Sequence, residues 1–364
     1  MVSRAQNPAR PREAAMSGTE NEGTTGVRPG FGFDEARLAG WMAAHVEGFA
    51  GPLSVRQFKG GQSNPTYQLV TPGRRYVLRR KPPGQLLKGA HAVEREARVL
   101  SALAGSGLPV PRVFGLCTDE SVIGTWFFIM EMVEGRIFWD AAFPDVSRAS
   151  RPAYFAAMNG AIAALHKVDY TARGLGDFGR TGNYFSRQIE RWAGQYEADH
   201  EAGRDANMDR LISWLRAHIP ADATTSLVHG DFRCDNMIFH PTEPRVLAVL
   251  DWELSTLGHP LADFAYHAMM YRMPPHIVAG LKGADLAALN IPAEEDYIAA
   301  YCANTGRASI PDYKFYAAFS FFRIAAIFHG VKGRVLRGTA ASAQAVERVK
   351  ILPELMALAW AQAA

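Results

Sequence analysis

The residues of this chain best suited to chemistry are concentrated in one polar segment. The segment HGDFRCDN, residues 229–236, lies between two apolar runs of β-strand type. A polar loop held at both ends by core strands is a common place for catalytic side chains. Asp231 could accept a proton from a hydroxyl group there, although a lone aspartate would also suit an ordinary turn. Asn236, after four intervening residues, carries an amide oxygen that could bind a cation.

A second acid, Asp251, ends the strand predicted over residues 246–250. That strand follows the one predicted at 237–239 after a hairpin-like turn, so Asn236 and Asp251 would lie at neighbouring strand ends. A carboxylate and an amide oxygen form the hard-oxygen site that Mg²⁺ uses with nucleotide phosphates. The spacing H-x-D-x4-N followed by a strand-end Asp matches the kinase arrangement. It predicts Asp231 as a proton acceptor and the other two residues as magnesium ligands.

The rest of the chain predicts an α+β fold that can position these residues. One helix, predicted from about residue 92 to 104, interrupts five β-type runs, at 53–58, 66–70, 76–80, 113–116 and 126–133. Beyond Gly135 the periodicity is mostly helical. We therefore expect a small five-stranded antiparallel N-lobe over residues 31–133 and a larger helical C-lobe over residues 134–364.

Composition excludes several classes of protein. Hydrophobic residues make up 48% and charged residues 21%, and the net charge of +3 comes without a block of five Lys or Arg residues. This balance is typical of a globular protein and argues against dedicated binding of nucleic acid or of a membrane surface. Three widely separated cysteines and no apolar run of about 18 residues lead us to expect a cytoplasmic protein. Residues 1–30 carry few large apolar side chains and are expected to form a disordered tail.

The segments HGDFRCDN and VLDWE, the latter at 249–253, together resemble the aminoglycoside phosphotransferase/choline kinase-like family, which has a protein-kinase-like fold. The resemblance covers roughly residues 53–330 and is greatest to the phosphotransferase domains fused to acyl-CoA dehydrogenases. It implies a two-lobed enzyme that transfers the γ-phosphoryl group of Mg²⁺-bound ATP to a hydroxyl of a small molecule. Asp231 would be the catalytic base, and Arg233 would stabilise charge on the transferring group. Gly230 in place of the HRD arginine, and DWE in place of DFG, argue against a protein kinase.

The N-lobe contains matching candidates for nucleotide binding. The turn after the first strand could let backbone N–H groups approach phosphates, and its candidate residues are Gly60, Gly61, Ser63 and Asn64. Arg79 lies on the third strand, where the resemblance places the strand lysine of kinases. Glu96 lies on the apolar face of the next helix, because Leu100 and Leu103 follow it at helical spacing. We expect these two residues to form the strand–helix ion pair of kinases.

Further residues take roles from the same resemblance. The backbone of Glu131 and Val133 would hydrogen-bond adenine, with Met130 behind the ring. Asp263 would brace the catalytic loop through backbone N–H groups, and His229 would support the loop structurally. For Glu253 two roles stay open, a surface charge or a residue in the outer shell of the metal.

The acceptor is not specified by these motifs. The helix predicted at 184–201 carries acids and aromatic residues that could suit a cationic amino alcohol, namely Glu190, Trp192, Tyr196, Glu197 and Asp199. It also carries basic residues that, with Lys88, could suit an anionic carrier such as CoA, namely Arg187 and Arg191. The resemblance favours a hydroxyacyl-CoA-type acceptor.

Two other functions remain open from the sequence. The chain could be a non-catalytic nucleotide-binding scaffold of the same fold, although a scaffold needs no proton acceptor. It could also be a metal-dependent hydrolase built on His229, Asp231 and Asp251. The segment GLGDFG at 174–179 matches a dinucleotide-binding pattern, but it follows a predicted helix rather than a strand, so we reject that interpretation.

Overall fold

The computed structural model describes residues 23–60, 64–84, 91–339 and 344–364. The strands of its N-lobe are β1 (Thr24–Thr25), β2 (Ser54–Phe58), β3 (Thr66–Val70), β4 (Arg75–Arg80), β5 (Val113–Cys117) and β6 (Phe127–Glu131). Within the described ranges they form one antiparallel sheet in the spatial order β1-β2-β3-β4-β6-β5. The helices of this lobe are α1 (Glu35–His45), α2 (Val93–Leu103) and α3 (Glu120–Ile123).

The five predicted strands are present, but the predicted number was wrong because the sheet also contains β1. Thr24 and Thr25 pair with Phe58 and Gln57 on β2. A two-residue strand is too short to produce an alternating pattern, so the sequence carried no signal for it. It also places structure within the expected tail of residues 1–30, of which residues 1–22 lie outside the described part of the chain.

Alternation along β4 determines which side chains face the cleft. Tyr76 and Leu78 pack in the cluster beneath α1, whereas Val77 belongs to the cluster that contains α2. Successive strand side chains point to opposite faces of a sheet, so Arg79 shares the face of Val77. The guanidinium of Arg79 therefore points toward α2 and the C-lobe, whereas Arg80, which is also buried, is on the opposite face.

The C-lobe is mainly helical. Its α-helices in the described ranges are α4 (Arg151–His166), α5 (Tyr184–Ala198), α6 (Ala206–Ala217), α7 (Pro260–Ala268), α8 (Pro275–Val278), α9 (Leu286–Leu289), α10 (Glu294–Thr305), α11 (Tyr313–Leu336), α12 (Gln344–Lys350) and α13 (Leu352–Ala361). Among the C-lobe residues that the structure describes, 3-10 turns lie at Arg148–Ser150, Cys234–Asn236, Trp252–Leu254 and Met269–Tyr271. Its strands are β7 (Ser226–Val228), β8 (Met237–Phe239), β9 (Val246–Val249) and β10 (Thr256–Gly258). The predicted α+β class, with a small sheet lobe and a larger helical lobe, is confirmed.

Two short strand pairs hold the polar segment in place. β7 pairs with β10, and β8 pairs with β9, both antiparallel. β7 leads into the loop at 229–236 and β8 leads out of it, while β9 and β10 flank the turn that contains Asp251. The loop and the turn are therefore neighbours.

Helices α7 and α11 of the C-lobe contact this loop. All nine residues of α7 are buried, and α11 packs against α5, α7 and α13. A helix that is buried on every side belongs to the core rather than to the surface. Within the described part of the chain, none of the helices combines the length and the apolar character needed to traverse a bilayer.

Candidate active site

The loop that begins at His229 turns sharply at Gly230. Gly230 has φ +86°, and a Cβ there would lie 2.8 Å from the carbonyl oxygen of Leu254. A side chain would therefore meet both backbone strain and a steric clash. Glycine at this position lets the loop pass close to the turn that carries Asp251.

The carboxylate of Asp231 is held on both sides. The hydroxyl of Tyr266 donates to Oδ1 over 2.6 Å, and Nδ2 of Asn236 donates to Oδ2 over 3.0 Å. The same Nδ2 also donates to the backbone carbonyl of Asp231 over 2.9 Å. A carbonyl can only accept, so the amide nitrogen of Asn236 must face Asp231. Its amide oxygen is left available for a cation.

Asp251 lies beside this arrangement. The amide of Leu250 donates to the carbonyl of Asn236 over 2.8 Å, and Asp251 follows at once with φ +65°. Its Oδ1 accepts a hydrogen bond from the guanidinium of Arg79. The residues predicted as magnesium ligands are thus on directly hydrogen-bonded segments.

The predicted pair of Arg79 and Glu96 is present, with 2.8 Å between Nε and Oε2. Asp251 and Glu253 also approach the Arg79 guanidinium, the latter at 3.7 Å. The pKa of Glu96 is raised to about 7, mainly by burial; the attraction of Arg79 lowers it, and the charges of Asp251 and Glu253 raise it. Three carboxylates around one guanidinium leave an excess of negative charge at this position.

The turn that was predicted to bind nucleotide is only partly described. Asn64 is buried, its Nδ2 donates to Glu253 over 3.2 Å, and its Oδ1 lies 3.1 Å from Nδ1 of His91. Gly60 follows β2, whereas Gly61, Ser63 and Lys88 lie outside the described residues. Asn64 thus connects this turn to the C-lobe.

The adenine-binding candidates lie where the two lobes join. Met130 on β6 is opposite Val77 on β4, so it shares the face that carries Arg79. Glu131 is the last residue of β6, and Val133 follows in the connection. Their hydrogen bonds to adenine stay a prediction.

Asp263 braces the loop in the way that was predicted for it. Its carboxylate accepts from the amides of His229 and Gly230, over 2.7 and 2.8 Å. Burial opposes its ionisation, but the hydrogen bond from His166 and the charges of His166 and His229 outweigh that effect and lower the pKa of Asp263. His229 is fully buried, with Nε2 donating to Leu250 and Nδ1 accepting from the amide of Asp231. Both ring nitrogens are therefore engaged.

The guanidinium of Arg233 is paired with a neighbouring acid, unlike that of an arginine that is free to bind phosphate. Its guanidinium forks onto the carboxylate of Asp235, with 2.9 Å between Nε and Oδ1. The neighbouring acid neutralises part of the positive charge that the predicted role requires. Stabilisation of the transferring group by Arg233 stays a prediction.

Sequence reasoning missed three residues that contact the loop. Tyr266 and His267 follow Asp263 at i+3 and i+4, so all three lie on one face of α7. Tyr266 contacts Asp231, and Nδ1 of His267 donates to the carbonyl of Phe232 over 3.1 Å. That spacing was a usable signal. Arg323, which donates to the carbonyl of Gly230 over 2.7 Å, carried none because it is distant in the chain.

The buried His267 is expected to make the folded state less stable at acid pH. Its burial lowers the pKa to about 4, well below the ordinary value of 6.5. Between these values the unfolded chain binds a proton that the folded chain does not, so stability falls as the pH falls from 6.5 toward 4. We expect His267→Gln to reduce the slope of unfolding free energy against pH by up to about 1.4 kcal/mol per pH unit in this range. Urea unfolding measured at several pH values checks this, and an unchanged slope would contradict it.

The two-lobed architecture defines a class of protein, that of the kinase-like fold. The chain belongs to the phosphotransferase enzyme family, whose family model matches residues 54–319. This confirms the resemblance seen in HGDFRCDN and VLDWE.

Relatives and solved structures agree with that membership. The chain is 47% identical to acyl-CoA dehydrogenase family member 10 of Mus musculus, over 90% of this chain and 30% of the relative. It is 44% identical to acyl-CoA dehydrogenase family member 11 of Gallus gallus, over 92% of this chain and 44% of the relative. The chain thus spans less than half the length of these curated relatives.

Among solved structures, a "putative aminoglycoside phosphotransferase" from Ralstonia eutropha is 53% identical with a TM-score of 0.85, covering 91% of this chain and 98% of that one. A thermostable mutant of the aminoglycoside phosphotransferase APH(4)-Ia has a TM-score of 0.60 at 16% identity, covering 91% of this chain and 99% of that one. The second likeness concerns the fold alone.

Proposed function

We propose that this protein is an ATP-dependent phosphotransferase that moves the γ-phosphoryl group to a hydroxyl of a small molecule. The observation that carries the proposal is the position of Asp231. Its carboxylate is fixed by Tyr266 and Asn236, beside the strand end that carries Asp251. A fixed carboxylate next to a hard-oxygen cation site is what phosphoryl transfer to a hydroxyl requires.

Each of these residues has a role in the proposed reaction. Asp231 would accept the proton of the acceptor hydroxyl, an effect worth about 10²- to 10⁴-fold in rate. Asn236 and Asp251 would hold Mg²⁺, which would neutralise phosphate charge when bound. Among the described residues no three His, Cys, Asp or Glu side chains form a metal cage. This suits Mg²⁺ in nucleotide sites, where one or two protein ligands act together with phosphates and water.

The surroundings of α5 argue against a cationic amine as the acceptor. Glu190 forms two hydrogen bonds with Arg216, and Asp199 forms two with Arg337. These acids are therefore partly neutralised by neighbouring arginines. The names of the curated relatives point to acyl-CoA chemistry, which supports a hydroxyacyl-CoA-type acceptor.

A metabolite panel tests the proposal. The purified chain is incubated with Mg·ATP and each candidate, including hydroxyacyl-CoA thioesters, amino alcohols and aminoglycosides, and ADP release is followed. We expect stimulation by a hydroxyacyl-CoA thioester. Stimulation by an amino alcohol instead would agree with phosphotransferase activity but would contradict the proposal of an anionic acceptor. Nucleotide binding without turnover on any member would favour the scaffold.

Asp251→Ala tests the magnesium site. Without this carboxylate, we expect ATP affinity to become the same in Mg²⁺ and in EDTA, because the main charged ligand of the cation is lost. Isothermal titration calorimetry in the two buffers measures the difference. Glu243→Ala is the matched control, since Glu243 is an exposed acid in the turn of the same hairpin. A variant that keeps the wild-type response to Mg²⁺ would exclude Asp251 as a ligand.

The hydrolase alternative is weakened by His229. Both nitrogens of this ring are engaged in hydrogen bonds to the backbone, so neither is free to bind a metal. Only hydrolysis of a substrate in the absence of nucleotide would support the hydrolase alternative.

A further inference from the structure

Two side chains outside the catalytic loop contact it next to Asp231. Tyr266 on α7 is 7% exposed and donates to Oδ1 over 2.6 Å. Arg323 on α11 donates to the carbonyl of Gly230 over 2.7 Å. Its guanidinium carbon also lies 5.2 Å from the centre of the Tyr266 ring. Because α7 and α11 pack together, the two side chains reach the loop as one unit.

The hydrogen bonds of Asp231 restrict its carboxylate from two directions. Tyr266 holds Oδ1 and Asn236 holds Oδ2, from elements that are far apart in the chain. With both oxygens held, rotation of the carboxylate about its last single bond is hindered. Each oxygen keeps a second lone pair, so the carboxylate can still accept from a substrate hydroxyl.

Arg323 in turn fixes the tyrosine and the backbone. A guanidinium over an aromatic face is attracted to it, which orients the Tyr266 ring. The hydrogen bond to the Gly230 carbonyl secures the peptide that precedes Asp231. Burial raises the pKa of Tyr266, so its hydroxyl remains a neutral donor.

We infer that Tyr266 and Arg323 are positioning residues that hold the Asp231 carboxylate in its reactive orientation. The inference rests on the proposed function, because it takes Asp231 as the base. The two residues act through Asp231 and the peptide that precedes it.

Tyr266→Phe removes the hydroxyl and keeps the ring under Arg323. We expect kcat to fall by about tenfold to a hundredfold, since a hydrogen bond to a charged group is lost and the base is misaligned. KM for ATP should stay within about twofold, because the nucleotide contacts lie elsewhere. The probe is Mg·ATP with water as the acceptor, followed by ADP release, so no identified acceptor is needed.

Two further variants separate positioning from folding. Tyr271→Phe is the matched control, because this buried tyrosine just beyond α7 has no hydrogen-bond partner for its hydroxyl among the described residues. It should leave kcat unchanged. Arg323→Lys keeps the charge but cannot spread over the ring, so kcat should fall severalfold at unchanged KM for ATP. This variant decides the matter if Tyr266→Phe does not fold.

A double-mutant cycle gives the decisive result. In the Asp231→Asn background, Tyr266→Phe should change ADP release by less than about twofold, because its target is already lost. An equal loss in both backgrounds would overturn the inference, as would a Tyr266→Phe enzyme with wild-type kcat. Asp231→Asn with wild-type turnover would instead overturn the assignment of Asp231 as the base, on which the proposed mechanism depends.

Discussion

Asp231→Asn is expected to lower phosphoryl transfer by about 10²- to 10⁴-fold while ATP affinity stays close to that of the wild type. The amide has the shape of the carboxylate, and it can turn its oxygen toward Asn236 and its nitrogen toward the Tyr266 hydroxyl. The loop should therefore keep its conformation, because a tyrosine hydroxyl can accept as well as donate. What the variant loses is the ability to take a proton.

Initial rates with the acceptor found in the metabolite panel measure this loss, and calorimetry with Mg·ATP measures the affinity. Asp177→Asn is the control for the chemical change, since Asp177 is an exposed acid that pairs with Arg98 at the surface. It should behave as the wild type. Full turnover of the Asp231 variant would show that another group takes the proton.

Arg79→Met is expected to destabilise the fold by about 3–5 kcal/mol and to abolish tight nucleotide binding. The substitution leaves Glu96, Asp251 and Glu253 around a site without its guanidinium. Glu96 can relieve part of this repulsion by binding a proton, since its pKa is already raised to about 7. The folded state then holds a proton more tightly than the unfolded state, so the loss of stability should grow as the pH rises.

Urea unfolding of wild type and variant at pH 6 and pH 8 tests the loss of stability and its pH dependence, and calorimetry with Mg·ATP tests the loss of nucleotide binding. Arg79→Lys keeps the positive charge but not the forked hydrogen bonding of a guanidinium, so this variant should lose less stability than Arg79→Met. Arg98→Met removes an exposed arginine on α2 and should have little effect. Equal stability of Arg79→Met and wild type would mean that the three carboxylates are not held together by this residue.

Periodicity was sufficient to predict most of the fold. The strands at 66–70 and 237–239 were placed at their observed bounds, because alternation and turn residues are local signals. The resemblance to kinases for Arg79 and helix spacing for Glu96 were together enough to predict this ion pair. Glu96 lies on the apolar face of its helix, and a buried carboxylate needs a partner of opposite charge.

Contacts between distant segments were beyond such reasoning. Tyr266 is 35 residues from Asp231, and Arg323 is 93 residues from Gly230. Neither chain spacing nor residue type indicates that two helices will meet beneath one loop. The fork of Arg233 onto Asp235 was missed for another reason: two residues of an irregular loop have no fixed relative direction.

The sequence by itself determined the identity of the chemical groups: an acid, an amide and a second acid on segments adjacent in a hairpin. Local backbone geometry places such residues near one another with little help from the rest of the chain. Only the tertiary structure decided which side chains hold the Asp231 carboxylate and which carboxylates the Arg79 guanidinium contacts. Those contacts depend on the packing of α7, α11 and the two lobes, which is set by burial of many side chains at once.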